Sequence, residues 1–451
     1  MEEGNFSTDE FYGYSVDNIH PSTPSEMMAS SSEQDVNISW SYTQDIDFDY
    51  HKITDINLAE LYTIENDISI TLEQGYNEYH INTLDIHENE SDDSEYAGGH
   101  NLHYGANLVS FSIIPEDNSL ENMLSECDIT DIIGEGRAAS NTDSGWIGNI
   151  DELSVGEGYW VKANSGHICP TVGMNAIANE YDLHIGANLI SYACDEDGAL
   201  EEFDICNGDI ISIIGEGEAA SCVNGEWIGN LDQLSPGRGY WFKLSTALTW
   251  DFDCPEPSGS SREYFAYESR EYAQSTQQAF YFFENIKGAQ EGDVINVYSE
   301  DNLVGSSVWL GEYTTVPVMG DDFQVETDGY ALAGQRPTFM LVKQSGQELR
   351  LEGDIPVFES NEIFIVDGEI ESVEIAPQSY VLSKAYPNPF NPTTTIGFTV
   401  PTNSYITIGV YDINGRMVDR LTSSDYVQGY HSVTWNGSDT PSGMYFVKMS
   451  A

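Results

Sequence analysis

Few residue patterns in this chain have the makings of chemistry. Gly134-Glu135-Gly136-Arg137-Ala138-Ala139 follows an apolar run as a phosphate-cradling glycine loop would. Yet Glu135 would repel a pyrophosphate, and no helix of suitable length follows. Asp143-Ser144-Gly145 matches the triplet of aspartic proteases, but that chemistry needs two such triplets and only one is present. His100-x-x-His103 offers half a metal site. Asp45-x-Asp47-x-Asp49 has the spacing of a calcium loop, but Tyr50 stands where that loop needs glycine and no Glu occupies its twelfth position. A solvated strand edge is the reading for these aspartates. H-E-x-x-H and G-x-S-x-G do not occur. The aromatics Trp146, Tyr159 and Trp160, and again Trp227, Tyr240 and Trp241, have the shape to stack on sugar rings. Gly-Tyr-Trp lies on an expected strand, where alternation buries one of the two aromatics. Core packing is the first reading, and a ligand platform at Trp146, Trp160, Trp227 and Trp241 the alternative. No enzyme and no cofactor is expected in this chain; a structural calcium among the carboxylates is left unplaced.

The elements that must position these groups are set by an unusual charge. The 451 residues carry 76 Asp plus Glu against 15 Lys plus Arg, a net charge of −61. Too few cations remain to replace counterions on phosphates, which excludes nucleic acid and disfavours anionic lipid as a partner. Aromatics at 12% make the chain too apolar for an acidic disordered polymer. No stretch is long and apolar enough for a membrane-spanning helix. Short alternating runs such as Asp35–Trp40 and Ile406–Tyr411, separated by Gly, Asn, Asp and Pro, predict an all-β, multidomain string of sandwich modules. Ser119 to Cys127 is the one short helical candidate, with Leu200 to Ile205 as its counterpart.

An internal duplication organises the middle of the chain. "NLHYGANLVSFS…IIGEGRAAS…WIGNIDELSVGEGYWVK" returns as "DLHIGANLISYA…IIGEGEAAS…WIGNLDQLSPGRGYWFK", each matched feature displaced by 81 residues. The unit is long enough to fold separately, unlike a solenoid repeat. All six cysteines lie between Cys127 and Cys254 and lack C-x-x-C spacing, the mark of disulfides in an oxidising compartment. Matching His-Ile-Cys-Pro with Phe-Asp-Cys-Pro makes Cys169 the counterpart of Cys254, and Cys127 that of Cys206. Pairing within each repeat then predicts Cys127–Cys169, Cys206–Cys254 and, by remainder, Cys194–Cys222.

The expected organisation is 1–17, a preceding segment or disordered stretch; 18–98; repeats at 99–175 and 176–256; a linker at 257–264; a β-sandwich module at 265–376 with Phe280-Tyr281-Phe282-Phe283 as a buried strand; and 377–451. Residues 18–98 resemble a fibronectin type III domain through Trp40, the Asp47 to Ile53 pattern with Tyr50, Tyr79, and Glu88-Asn89-Glu90-Ser91. That resemblance implies a structural sandwich.

The end of the chain carries the most ordered motif set: Pro387-Asn388-Pro389-Phe390-Asn391-Pro392 after Tyr386, then Tyr411-Asp412-x-x-Gly415-Arg416, then Gly429-x-His431-x-x-x-Trp435, then Ser442-Gly443-x-Tyr445-Phe446. Three prolines in six residues enforce an extended lead-in without ladder donors, and the following strands predict a small Ig-like sandwich. Residues 380–451 closely resemble the C-terminal type A sorting domain of type IX secretion cargo. The resemblance implies Sec export, handling by the type IX machinery, and an extracellular or outer-surface location. Members typically continue into a further strand, and the N-terminus lacks a signal peptide, so a fragment of a longer polypeptide is expected. The function expected is a non-catalytic secreted or surface protein of structural or adhesive modules, with an extracellular polysaccharide or surface protein as ligand. The alternatives are the accessory tail of an extracellular peptidase or glycanase, and a carbohydrate-binding module.

Overall fold

Period-two alternation and frequent turn residues leave this chain little choice but antiparallel sheets. A computed structural model describes residues 19–451 apart from 33, 42, 57, 73–74, 204, 256–270, 375–378, 384, 386, 439 and 442. The expected segment 1–17 and linker 257–264 lie outside the described residues, as do Tyr386 and Ser442 of the terminal motifs. The fold is all-β; among the described residues its helices are one turn at Leu120–Met123 and single 3-10 turns at Leu200–Phe203 and Val325–Thr327. Among the described residues no helix is long and apolar enough to cross a membrane.

The first module faces a three-stranded sheet (Met28–Ser32, Asp35–Ser39, Asp67–Thr71) with the strands Glu60–Thr63, Phe48–Asp55, Gly75–Asp85 and Tyr96–Leu102. Val36, Ile38, Trp40, Ile53, Tyr79 and Ile81 fill the space between. The boundary expected at 98/99 falls inside a strand. Tyr96–Leu102 pairs on one side with Gly75–Asp85 and on the other with His167–Asn175 of the first repeat, which contributes Ile168 to the same core. Gly98 and Gly99 permit this crowding, since a Cβ on either would meet a neighbouring backbone oxygen at 2.1 or 2.6 Å.

Each repeat is a five-stranded sheet with matching order. In the first, Gly145–Gly148, Arg137–Thr142, Ile129–Gly134, Gly158–Ala163 and Gly105–Ser110 follow one another, and the second repeats this with Gly186–Ser191 at the same edge. Residues 271–374 form a second sandwich around Gln278–Phe283. All four of its aromatics are fully buried, because Tyr281 and Phe283 face their own core while Phe280 and Phe282 face Ile214 and Ala219 of the second repeat. Burial on both faces is why that strand lacks alternation.

Two of the three expected disulfides are corrected. Cys127–Cys169 forms, but the others are Cys194–Cys254 and Cys206–Cys222. The register explains this. Cys169 sits opposite His100 and Trp250 sits opposite Tyr181, so Trp250, not Cys254, is the structural counterpart of Cys169. Aromatic packing of Trp250 with Phe203 and Phe252 fills the second repeat where the first has its disulfide. Cys254, four residues further on, reaches Cys194 instead. Cys206 lies against the Gly225 turn, next to the strand that bears Cys222.

Candidate functional site

The terminal sandwich is built by its motif residues in two different ways. Thr393–Val400 pairs with Gly429–Asn436, and Ser404–Tyr411 sits between Met417–Tyr426 and Phe446–Ser450. Phe398, Val400, Ile406 and Ile408 fill one end of its core, and Ile396, Val410 and Trp435 the other. Every residue of these two clusters lies within 382–449, so this core is its own.

Trp435 is 2% exposed and packs against Phe390 and edge-on to Tyr445, at ring separations of 5.2 and 5.0 Å. The proline-rich lead-in is thereby anchored at Phe390, and again where Thr394 Oγ1 donates to the Pro387 carbonyl at 2.8 Å. Pro387, Asn388, Pro389, Asn391 and Pro392 remain exposed around those anchors. Tyr411 folds its ring over Gly409, where a Cβ would lie 3.2 Å from it.

Asp412 closes the hairpin. Its carboxylate accepts the Asn414 and Arg416 amides at 2.9 Å, which holds its pKa below the usual carboxylate range. Gly415 takes φ +75°, a conformation costly for any side chain. Arg416 is fully displayed beside it, and Gly443 is exposed with open space around it. The motif therefore divides into an aromatic anchor inside and a Pro/Asn/Arg surface outside.

The two repeats meet about a local twofold axis, and this accounts for the glycine loop and the histidines. Glu216 of the second copy accepts from the His103 ring at 2.6 Å and from the Leu108 amide at 2.7 Å in the first. Glu135 of the first copy does the same to His184 at 2.5 Å and the Leu189 amide at 2.9 Å in the second. Every partner is displaced by 81 residues. Leu108 and Leu189 lie on edge strands, so each carboxylate satisfies an otherwise open ladder donor.

Both ring nitrogens of His184 face oxygens, the Ile185 carbonyl and Glu135, and its pKa is raised for that reason. Burial works against ionisation of Glu216, but the His103 ring and the Leu108 amide outweigh it and hold the carboxyl below its usual range. The first glycine motif is thus a clasp between repeats, with its glutamate as the active part.

The same axis explains Gly-Tyr-Trp. Gly158 and Gly239 oppose each other: a Cβ on the first would meet the Ile190 carbonyl at 2.6 Å, and on the second the Val109 carbonyl at 2.9 Å. Tyr159 and Tyr240 turn into their own cores. Trp160 is buried between the copies with Leu108 and Leu189, and Trp241 packs on Leu189, Ile214 and Phe280. Trp146 and Trp227 pack half-buried on their own cores. For Trp160 and Trp241 the expected ligand platform is corrected accordingly: one face of their strand meets a core and the other meets a neighbouring module, whereas Trp146 and Trp227 lie half-buried on the edge strands Gly145–Gly148 and Glu226–Gly229.

His100 is buried, its Nε2 facing the Ser110 and Gly237 carbonyls, and burial lowers its pKa to about 4. It does not join His103 in a metal pair. Asp143 and Ser144 form an exposed turn, and Gly145 begins the strand after it. Asp45 is held by the Ser22 amide and hydroxyl, which lowers its pKa, and is not arranged with Asp49 as a calcium loop. Sequence reading missed the docking of both repeats on the following sandwich. Lys162 pairs with Asp322 at 3.0 Å in a buried site, and its counterpart Lys243 pairs with Glu362 at 2.5 Å. A lysine repeated on a buried strand was the available signal.

Residues 384–451 match the sequence family described as the secretion system C-terminal sorting domain. No curated protein matches the chain. The terminal sandwich is therefore a sorting domain. It marks the protein as type IX secretion cargo, handled by that machinery and delivered to the cell surface or the extracellular space.

Proposed function

We propose that the chain is a non-catalytic structural cargo: a rigid set of modules that the sorting domain places outside the cell, where it spaces or attaches other components. The observation that carries this reading is how the reactive-looking groups are used. Glu135, Glu216, His103 and His184 join the repeats, and Lys162 joins them to the next sandwich through Asp322. A sheet that runs from the first module into the first repeat supports the same rigidity. The high acidic charge suits a salty exterior where ions screen it.

The test pairs two measurements on the intact chain. Small-angle scattering is expected to fit one fixed arrangement of residues 19–374, and incubation with casein, gelatin and soluble polysaccharides is expected to show no turnover. Scattering that requires freely jointed modules, or turnover abolished by a substitution in this chain, would overturn the reading.

A further inference from the structure

Outside the repeats, two turns of the first module bring together side chains that neither the core nor the sorting function uses. Asp47 precedes the strand Phe48–Asp55, Asp85 ends the strand Gly75–Asp85, and His87 lies in the turn that follows. One ligand atom from each lies within 4.8 Å of the others. We propose that Asp47, Asp85 and His87 form a three-ligand site for a divalent transition-metal ion, zinc fitting best.

The donor set selects the ion. Calcium takes oxygen ligands, six to eight of them, whereas an imidazole with two carboxylates suits zinc. Three protein ligands leave a fourth position for water or for a group on a partner. The frame is rigid where it must be. Asp85 is 2% exposed, and its Oδ1 accepts the His87 and Asn89 amides at 2.8 and 2.9 Å while Oδ2 accepts the Asn89 side-chain amide at 2.7 Å. Those bonds orient the carboxylate and leave Oδ2 a lone pair. The Ile86 amide donates to the Asp47 carbonyl at 2.9 Å, which locks the two turns together.

Electrostatics point the same way. Asp47 sets a second, half-buried carboxylate beside buried Asp85, and like charges so placed call for a cation between them. Donors about a zinc ion with bonds near 2 Å stand about 3.3 Å apart in a tetrahedron. His87, exposed at the tip of its turn, supplies the imidazole.

The test uses the full chain stripped with chelator and titrated with zinc alone in a competing metal buffer, because 76 carboxylates bind ions weakly everywhere. One tight equivalent, a higher melting temperature and a shift of the His87 ring resonances are expected. His87→Gln and Asp47→Asn, at turn positions outside the core, should each keep the metal-free melting temperature and weaken binding by at least about tenfold. Absence of a tight equivalent, or binding unchanged in both variants, would overturn the site. A response to calcium but not to zinc would overturn the choice of ion and the role of His87 together.

Discussion

The two repeats share roughly half their residues yet meet different surroundings, and the differences show which contacts the fold holds fixed. The ribbon of Tyr96–Leu102 and His167–Asn175 in the first copy is annexed by the preceding module's sheet. Its counterpart, Glu180–Leu183 with Leu248–Asp251, stands as a two-stranded sheet of its own. The first copy ties this ribbon down with Cys127–Cys169, and the second packs Trp250 there. One ion pair survives with its charges exchanged: Arg137 meets Glu157 in the first copy, and Glu218 meets Arg238 at the same two positions in the second. The pairing is held fixed while the residues are not.

The largest effect is expected where the copies differ most in burial. Asp322→Ala strands the Lys162 ammonium in a buried site, its side chain only 9% exposed, and should cost about 3–5 kcal/mol in denaturant unfolding. Glu362→Ala, which unpairs the one-third exposed Lys243, should cost about 0–1 kcal/mol. Equal losses would show that the two copies dock alike.

Next come the disulfides, where peptide mapping should recover Cys194–Cys254 and Cys206–Cys222. Replacing Cys127 and Cys169 by Ser should cost about 2–5 kcal/mol. That loss should exceed the loss for Cys206–Cys222 by about 1 kcal/mol, because the loop closed is 42 residues against 16.

A smaller change tests the exchanged pair. Arg137→Glu sets two carboxylates together and should cost about 1 kcal/mol or less at this half-exposed position. Adding Glu157→Arg reproduces the arrangement of the second copy and should restore stability.

The smallest effect is in pH. The raised pKa of His184 makes its contribution complete below its ordinary value of 6.5 and lost as pH rises through the raised value. The lowered pKa of Glu216 makes its contribution complete above 4.5 and lost as pH falls through the lowered value. Wild-type melting should therefore fall off slightly on both sides of that window. Glu135→Gln should lessen the alkaline fall-off, since the Ile185 carbonyl still faces His184, and Glu216→Gln should remove its own contribution on the acid side.

Much of this was legible because it is local. Alternation marked the strands, an Asp-x-x-Gly turn marked the terminal hairpin, and an ungapped displacement of 81 marked the duplication. The disulfides were misread because a four-residue likeness, His-Ile-Cys-Pro with Phe-Asp-Cys-Pro, competed with that displacement, and the sheet register obeys the displacement. The clasp was not legible, since Glu135 and Leu189 come together only when two folded copies meet. The aromatic pair was half legible: alternation said that Tyr159 and Trp160 face opposite ways, and only the neighbouring copy says that the second face is also covered.

Amide exchange at Leu108 and Leu189 tests the reciprocal clasp most directly. Glu135→Ala is expected to speed exchange at Leu189, in the copy that carries no substitution, and to leave Leu108 slow; Glu216→Ala should do the reverse. Faster exchange confined to the substituted copy, or no change at either amide, would contradict a twofold joint between the repeats and the rigid scaffold built on it.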